Sequence, residues 1–132
     1  MYKYETHVHT SETSACASAN GAAQAMFYKS KGYTGIVVTD HFFNGNTSVP
    51  HELSWEEKVN RFCLGYEKAK EQGDKIGLDV FFGWEYSYHG ADLLTYGMGE
   101  NILLRIAELL ARGVPVKKIR DVRGTVYLCK PE

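Results

Sequence analysis

The stretch Gly35-Ile-Val-Val-Thr-Asp-His41 decides the fold class of this chain. Three β-branched apolar residues follow one another without the polar alternation of a half-exposed strand. Short runs of this kind are typical of strands that are buried on both faces of a parallel sheet. The stretch therefore predicts a central parallel strand, with Asp40 and His41 directly after its carboxyl end.

The segments on either side of this strand alternate between strand and helix patterns. Before it, Tyr4 to His9 alternates as a strand does, and a helix follows the cap candidates Ser18 and Asn20 and ends near Gly32. After it come a long loop at 42–53, a helix from the capping box Ser54-Trp-Glu-Glu57 to Gly73, strands at 78–84 and 93–96, a helix at 102–112 and a strand at 125–129. This alternation predicts βαβ units and an α/β fold with a parallel sheet.

Composition places the chain among ordinary compact domains. It has 132 residues, of which 44% are apolar and 23% are charged, so we expect a single domain spanning residues 1–132. The net charge is −1 and the basic residues are scattered, which argues against bulk binding of nucleic acid. No run approaches the roughly 18 apolar residues of a membrane span, and no signal peptide opens the chain. We therefore expect a cytoplasmic protein that does not bind membranes.

The cysteines do not form a recognisable framework. Cys16, Cys63 and Cys129 are odd in number and lack CxxC spacing, which argues against both paired disulfides and a cysteine-rich zinc finger. We expect all three thiols to be reduced, and Cys16 to be a small buried thiol rather than a ligand for a soft ion.

The pair His7-Val-His9 lies at the end of the first predicted strand. Because the strand period is two, both imidazoles point to one face, with Cα atoms about 7 Å apart. Two such rings chelate borderline ions such as zinc, manganese or iron. The alternative is a pair of solvated histidines at a strand end, which this short motif alone does not exclude.

Two further strands end in residues of the same chemical type. Asp40 and His41 follow the central strand, and Glu85 follows the strand that ends at Trp84. The carboxyl ends of parallel strands open on one side of a sheet or barrel, where sites are commonly found. The sequence therefore predicts that His7, His9, His41 and Glu85 converge at one edge.

These segments also resemble a known family. Tyr4-Glu-Thr-His-Val-His-Thr-Ser-Glu-Thr-Ser-Ala-Cys16, Gly35-Ile-Val-Val-Thr-Asp-His41 and Gly83-Trp-Glu85 are similar to the first three motifs of the PHP (polymerase and histidinol phosphatase) superfamily. The resemblance implies a partial distorted (β/α)7 TIM-like barrel with up to three metal ions. It implies that His7, His9 and Glu85 hold one ion, that Glu85 bridges to a second and that His41 belongs to a third.

The function implied by this resemblance is hydrolysis of a small phosphomonoester or nucleotide by a metal-activated water. In that reaction Asp40 or His89 would orient groups or donate a proton, and Glu12 would be a further ligand. The alternatives are an impaired metal-binding fragment with a structural or partner-dependent role, or a metal-dependent amidohydrolase.

The sequence also departs from the family pattern in its last third. Asp92 stands where a histidine is usual, although its carboxylate can still bind a cation. Lys130 stands where the resemblance expects a metal-binding histidine, and no later Asp-x-His pair precedes the end at Glu132. These departures predict a truncated domain with weakened ion sites and an exposed sheet edge, and hence a possible homo-oligomer.

Overall fold

The computed structural model describes residues 1–88, 91–96, 99–115, 118–119, 122–123 and 125–127, with side chains described at 1–87, 104–115, 118–119 and 122–123. Eight helices and strands lie within these ranges. In chain order they are β1 (Tyr4–Val8), α1 (Gly21–Ser30), β2 (Gly35–Val38), α2 (Trp55–Ile76), β3 (Asp79–Tyr88), β4 (Ala91–Tyr96), α3 (Gly99–Ala111) and β5 (Thr125–Tyr127). All eight elements occur in the order that the sequence predicts.

The first three strands form a parallel sheet. β1 pairs with β2, and β2 pairs with β3, so that Gly35 lies between Tyr4 and Asp79. All four residues of β2 are buried, as its run of β-branched residues predicts. The prediction of an α/β fold with parallel strands is therefore confirmed for this part of the chain.

The last two strands do not continue the parallel pattern, so the prediction of parallel strands throughout is wrong. β4 pairs antiparallel with β3, and β5 pairs antiparallel with β4. The reason for the first reversal is chain length, because only two residues separate Tyr88 from Ala91, whereas a parallel crossover needs about a dozen. The described strands form an open row in the order β1-β2-β3-β4-β5, and they do not show the predicted TIM-like barrel.

Local capping fixes the two helices that cover the sheet. The side chain of Asn20 accepts a hydrogen bond from the Ala23 amide, and Ser54 and Glu57 form the predicted capping box. α2 continues three residues beyond the predicted Gly73 and ends at Gly77, whose positive φ of 68° suits glycine.

Both helices pack against the same core as the sheet. The buried apolar residues of this core are Val8, Ala25, Ile36, Val38, Ala69, Leu78 and Val80. Because side chains alternate along a strand, His7 and His9 lie on the opposite side of β1 from Val8, and Glu85 lies on the opposite side of β3 from Val80. The core residues of β1 and β3 thus point away from the two histidines and the glutamate.

α3 belongs to a second, smaller apolar cluster. Ile106 and Ile119 are buried there, with Leu109, Leu110 and other partly buried residues packed around them. Among the helices described, none combines the length and the apolar character that a membrane span requires.

Candidate metal centre

Three nitrogen and oxygen atoms meet where His7 and His9, at the end of β1, face Glu85. The strand that was predicted to end at Trp84 continues to Tyr88, so Glu85 lies within β3. His7 Nε2 lies 2.7 Å from Glu85 Oε2, and His9 Nε2 lies 2.9 Å from the same oxygen. The two histidine Nε2 atoms are 3.0 Å apart. The structure therefore brings these three side chains together, as the sequence predicts. Their role as metal ligands stays a prediction.

His41 brings the end of β2 to the same carboxylate. Its Nδ1 atom lies 3.2 Å from Glu85 Oε1, and its ring centroid is 4.4 Å from that of His9. The backbone fixes this approach, because the Glu85 amide donates to the Asp40 carbonyl at 3.0 Å and the Phe42 amide donates to the Glu85 carbonyl at 2.9 Å. One carboxylate thus faces three imidazoles from two other segments.

The surroundings of Glu85 determine the pKa of its carboxyl group. Glu85 is 2% exposed, and burial by itself raises its carboxyl pKa. The hydrogen bonds with His7 and His9 and the nearby charges of His41 and His9 outweigh burial and lower the pKa of Glu85 to about 2. Glu85 is therefore a carboxylate at neutral pH.

The spacing of these atoms fits a metal ion. Two ligands that each lie about 2.1 Å from one ion are about 3.0 Å apart at a right angle and about 3.4 Å apart at the tetrahedral angle. Of the three distances among His7, His9 and Glu85, the one of 3.0 Å equals the right-angle value, and those of 2.7 and 2.9 Å are slightly shorter than it. Without an ion or a shared proton, two imidazole nitrogens at this distance would repel each other through their lone pairs. The donor set and its spacing therefore fit a divalent ion.

Asp40 lies next to the cluster but makes its hydrogen bonds elsewhere. It is 2% exposed. Its Oδ1 accepts from the Thr10 amide at 2.6 Å and the Ser14 hydroxyl at 2.6 Å, and its Oδ2 accepts from the Thr10 hydroxyl at 2.7 Å. Burial raises the pKa of Asp40, and these hydrogen bonds act in the opposite direction. Asp40 thus anchors the loop after β1, whereas its part in proton transfer stays a prediction.

The Asp40 anchor also reaches His41. The Ser14 hydroxyl, which donates to Asp40, accepts a hydrogen bond from the His41 amide at 3.0 Å. Sequence reasoning did not assign roles to Thr10 and Ser14. Their signal in the sequence is the hydroxyl-rich segment after β1, which lies where a buried carboxylate would need donors.

Glu12 does not join the cluster. Its Oε2 accepts from the Gly21 amide at the start of α1 at 3.1 Å, and its Oε1 lies 3.1 Å from Lys68 Nζ. These contacts link α1 and α2 beside the loop. Glu12 was predicted as a metal ligand, but the structure does not bring it together with His7, His9 and Glu85.

Cys16 lies in a different environment from the one predicted. The residue is exposed, so the prediction of a buried thiol is wrong. Its Sγ atom lies 3.2 Å from His9 Nδ1, and donor atoms of Cys16, His9 and His41 all lie within 4.8 Å of one another. The position of Cys16 in the sequence could have indicated this contact, because Cys16 belongs to the loop that directly follows His9.

The remaining predicted site residues lie outside what the structure describes. His89 and Lys130 are not among the described residues, and Asp92 is described only as part of the backbone of β4. The roles of His89 and Asp92 in a site therefore stay predictions.

An open cleft of about 400 Å³ adjoins the cluster. Its walls include His7, His9, Cys16, Gln24 and Tyr28. The Gln24 side chain donates to the His9 carbonyl at 2.8 Å and so ties α1 to the end of β1. A small molecule or ion can therefore reach the exposed side of the cluster, where the His7 side chain is 50% exposed.

Comparison with known families places the last third of the chain near a different family from the one predicted. Residues 87–132 match the family model described as Radical SAM N-terminal. The chain is also similar to UPF0313 proteins over a short stretch. The UPF0313 protein of Thermotoga neapolitana is 50% identical over 44 residues, which is 32% of this chain and 8% of the relative. The UPF0313 protein YgiQ of Escherichia coli K12 is 48% identical over 40 residues, which is 30% of this chain and 5% of the relative. The chain thus matches less than a tenth of the length of these relatives.

Among solved structures, the chain is similar to a Bifidobacterium adolescentis protein named as a candidate metal-dependent phosphoesterase. The TM-score is 0.51 at 17% identity, and the similarity covers 83% of this chain and 34% of that one. At this identity the likeness concerns the fold alone, and it supports the α/β arrangement described above.

The prediction of a PHP-superfamily phosphoesterase is therefore wrong, and so is the amidohydrolase alternative. The matching family is Radical SAM N-terminal, and the curated relatives are UPF0313 proteins. The two residues that depart from the PHP pattern, Asp92 and Lys130, lie inside residues 87–132. The earlier motifs misled because histidine and carboxylate pairs at strand ends are a general solution to metal binding, which unrelated proteins share.

Proposed function

We propose that this chain binds a divalent transition-metal ion through His7, His9 and Glu85, with His41 beside the same carboxylate. The observation that carries the proposal is the mutual approach of two imidazole nitrogens and one carboxylate oxygen to within 2.7–3.0 Å. His7 lies on β1, Glu85 lies on β3, and His9 directly follows the core residue Val8, so the fold holds the geometry. The proposed function is metal binding, and no reaction is assigned.

The donor set indicates which ions to expect. Two imidazoles and a carboxylate suit manganese or iron, whereas calcium and magnesium prefer sites made of oxygen alone. The name of the Bifidobacterium adolescentis neighbour describes metal dependence, which supports the proposal of metal binding. The expectation of up to three ions rested on the PHP resemblance and is not part of the proposal.

Iron, where it is the ion bound, is proposed as a single ion. Iron–sulfur clusters are held by cysteine thiolates, usually several of them close together in the sequence. The three cysteines of this chain stand at positions 16, 63 and 129. The matched residues 87–132 begin after Glu85, so all three proposed ligands lie outside that match.

The other expectations from the sequence do not enter the proposal. The small phosphorylated substrate rested on the activity that the family comparison contradicts. The cytoplasmic location and the homo-oligomer stay predictions, and sedimentation velocity can test the second of them.

Metal analysis of the full 132-residue chain tests the proposal. After dialysis against manganese and removal of loose ions, we expect about one tightly held ion per chain by mass spectrometry of the metal. The double variant His7→Ala/His9→Ala should lose it, because two of three ligands are gone. His51→Ala is the matched control, since His51 is an exposed histidine in a separate turn. Equal metal content in the double variant and the control would overturn the proposal.

A further inference from the structure

The exposed thiol of Cys16 lies on the far side of His9 from Glu85. His9 Nε2 faces Glu85 Oε2 at 2.9 Å, whereas His9 Nδ1 faces Cys16 Sγ at 3.2 Å. Donor atoms of His9, Cys16 and His41 lie within 4.8 Å of one another, which is close enough for side-chain rotation to bring them to one ion. The thiol therefore belongs to a second group of potential ligands.

This second group defines a separate position for an ion. The lone pairs of the two nitrogens of an imidazole ring point away from each other, so one ion cannot be bound by both. An ion at His9 Nε2 is next to Glu85 and His7, and an ion at His9 Nδ1 is next to Cys16. Cys16 can therefore bind only an ion that differs in position from the one at Glu85.

We propose that His9, Cys16 and His41 form a thiolate site for thiophilic divalent ions such as cobalt, zinc or cadmium. The inference rests on the proposed function in that it uses His9 as a ligand in both positions. Soft thiolates favour these ions, whereas a carboxylate with imidazoles suits manganese. Binding converts the Cys16 thiol to a thiolate with the loss of one proton to the buffer, and no electron is transferred.

The shared histidine makes the two positions compete. Simultaneous binding at both nitrogens requires the His9 ring to lose its remaining N–H proton, which is unfavourable near neutral pH. We therefore expect one tightly bound ion per chain, whose position depends on its chemistry. Manganese takes the Glu85 side, and thiophilic ions take the Cys16 side.

Cobalt titration of the full reduced chain tests the thiolate site directly. A cobalt–thiolate bond gives a charge-transfer band in the near ultraviolet, and we expect this band to saturate at one ion per chain. Cys16→Ser should abolish the band and weaken cobalt binding by at least about tenfold. Cys63→Ser is the matched control, because Cys63 lies on α2 and outside the cluster, and it should leave the band unchanged.

Two further measurements separate this inference from the proposed function. His7→Ala should keep the cobalt band, because His7 is a ligand only on the Glu85 side. Manganese binding, followed by electron paramagnetic resonance, should be unchanged in Cys16→Ser. A band that is missing from the unaltered chain, or that survives in Cys16→Ser, would overturn the thiolate site: Cys16 would then only accept a hydrogen bond from His9. Loss of manganese binding alone would count against the proposed function and leave the thiolate site standing.

Discussion

Replacing Gly65 by alanine should disturb the loop that carries His9 and Cys16. A Cβ atom at Gly65 would lie 1.9 Å from Thr10 Oγ1 and 3.0 Å from Asp40 Oδ2. Ordinary contact requires about 1.5 Å more room at Thr10. Thr10 is 0% exposed and its hydroxyl is bonded to Asp40, so it can move only by giving up that hydrogen bond.

The size of the effect follows from three terms. Loss of a hydrogen bond to a buried charged group costs about 1.5–3 kcal/mol, and overpacking costs about 1–3 kcal/mol. Alanine in place of glycine within a helix returns about 1 kcal/mol. We therefore expect Gly65→Ala to lower the free energy of unfolding by about 1.5–5 kcal/mol, together with weaker metal binding.

Urea unfolding of a double-mutant cycle measures this effect. Thr10→Ala removes the hydroxyl that would lie 1.9 Å from the new Cβ and leaves the milder contact with the Cβ atom of residue 10, at 2.8 Å. If the clash is the cause, adding Gly65→Ala to Thr10→Ala should cost much less than Gly65→Ala alone. Additive costs in the double variant, or a Gly65→Ala chain that is as stable as the parent, would refute this account of the anchor.

Three other predictions concern the core, the acid range and association. Ile36→Ala should lower the free energy of unfolding by about 2–5 kcal/mol and Ile36→Val by about 1 kcal/mol, because Ile36 is 0% exposed in the core; a loss in urea unfolding below 1 kcal/mol for alanine would contradict this. The pKa of Glu85 is about 2 in the folded chain, compared with the ordinary 4.5. Its carboxylate therefore stabilises the metal-free fold by about 3 kcal/mol above pH 4.5. This stabilisation is lost as the pH falls through about 2. Urea unfolding at several pH values should show that Glu85→Gln flattens this acid dependence, and an unchanged profile would argue against it. Exposed aromatic side chains such as Trp55 and Phe81 favour self-association, which sedimentation velocity should reveal as concentration dependence; a constant monomer would contradict it.

The sequence was informative where a local pattern determines the structure. The run Ile36 to Val38 predicted a buried strand, and the capping box at Ser54 predicted the start of α2, because both depend on residues close together in the chain. The meeting of His7, His9, His41 and Glu85 was also predictable, because residues that end neighbouring parallel strands lie at one edge.

The sequence was less informative where the outcome depends on the path of the chain. Strand patterns do not state a pairing direction, so the antiparallel β4 was missed even though the short link after Tyr88 requires it. The hydrogen bonds of Asp40 and the exposure of Cys16 depend on how the loop after β1 folds back. Short motifs such as His7-Val-His9 indicate a kind of chemistry and do not identify a family. They therefore did not predict the family model that residues 87–132 match.

The most direct test of the proposed centre is a crystal structure of the chain grown with manganese, with the anomalous scattering of the ion recorded. The account predicts one manganese peak about 2.0–2.3 Å from His7 Nε2, His9 Nε2 and Glu85 Oε2. A manganese ion bound elsewhere, or these three side chains separated by more than about 8 Å, would contradict it.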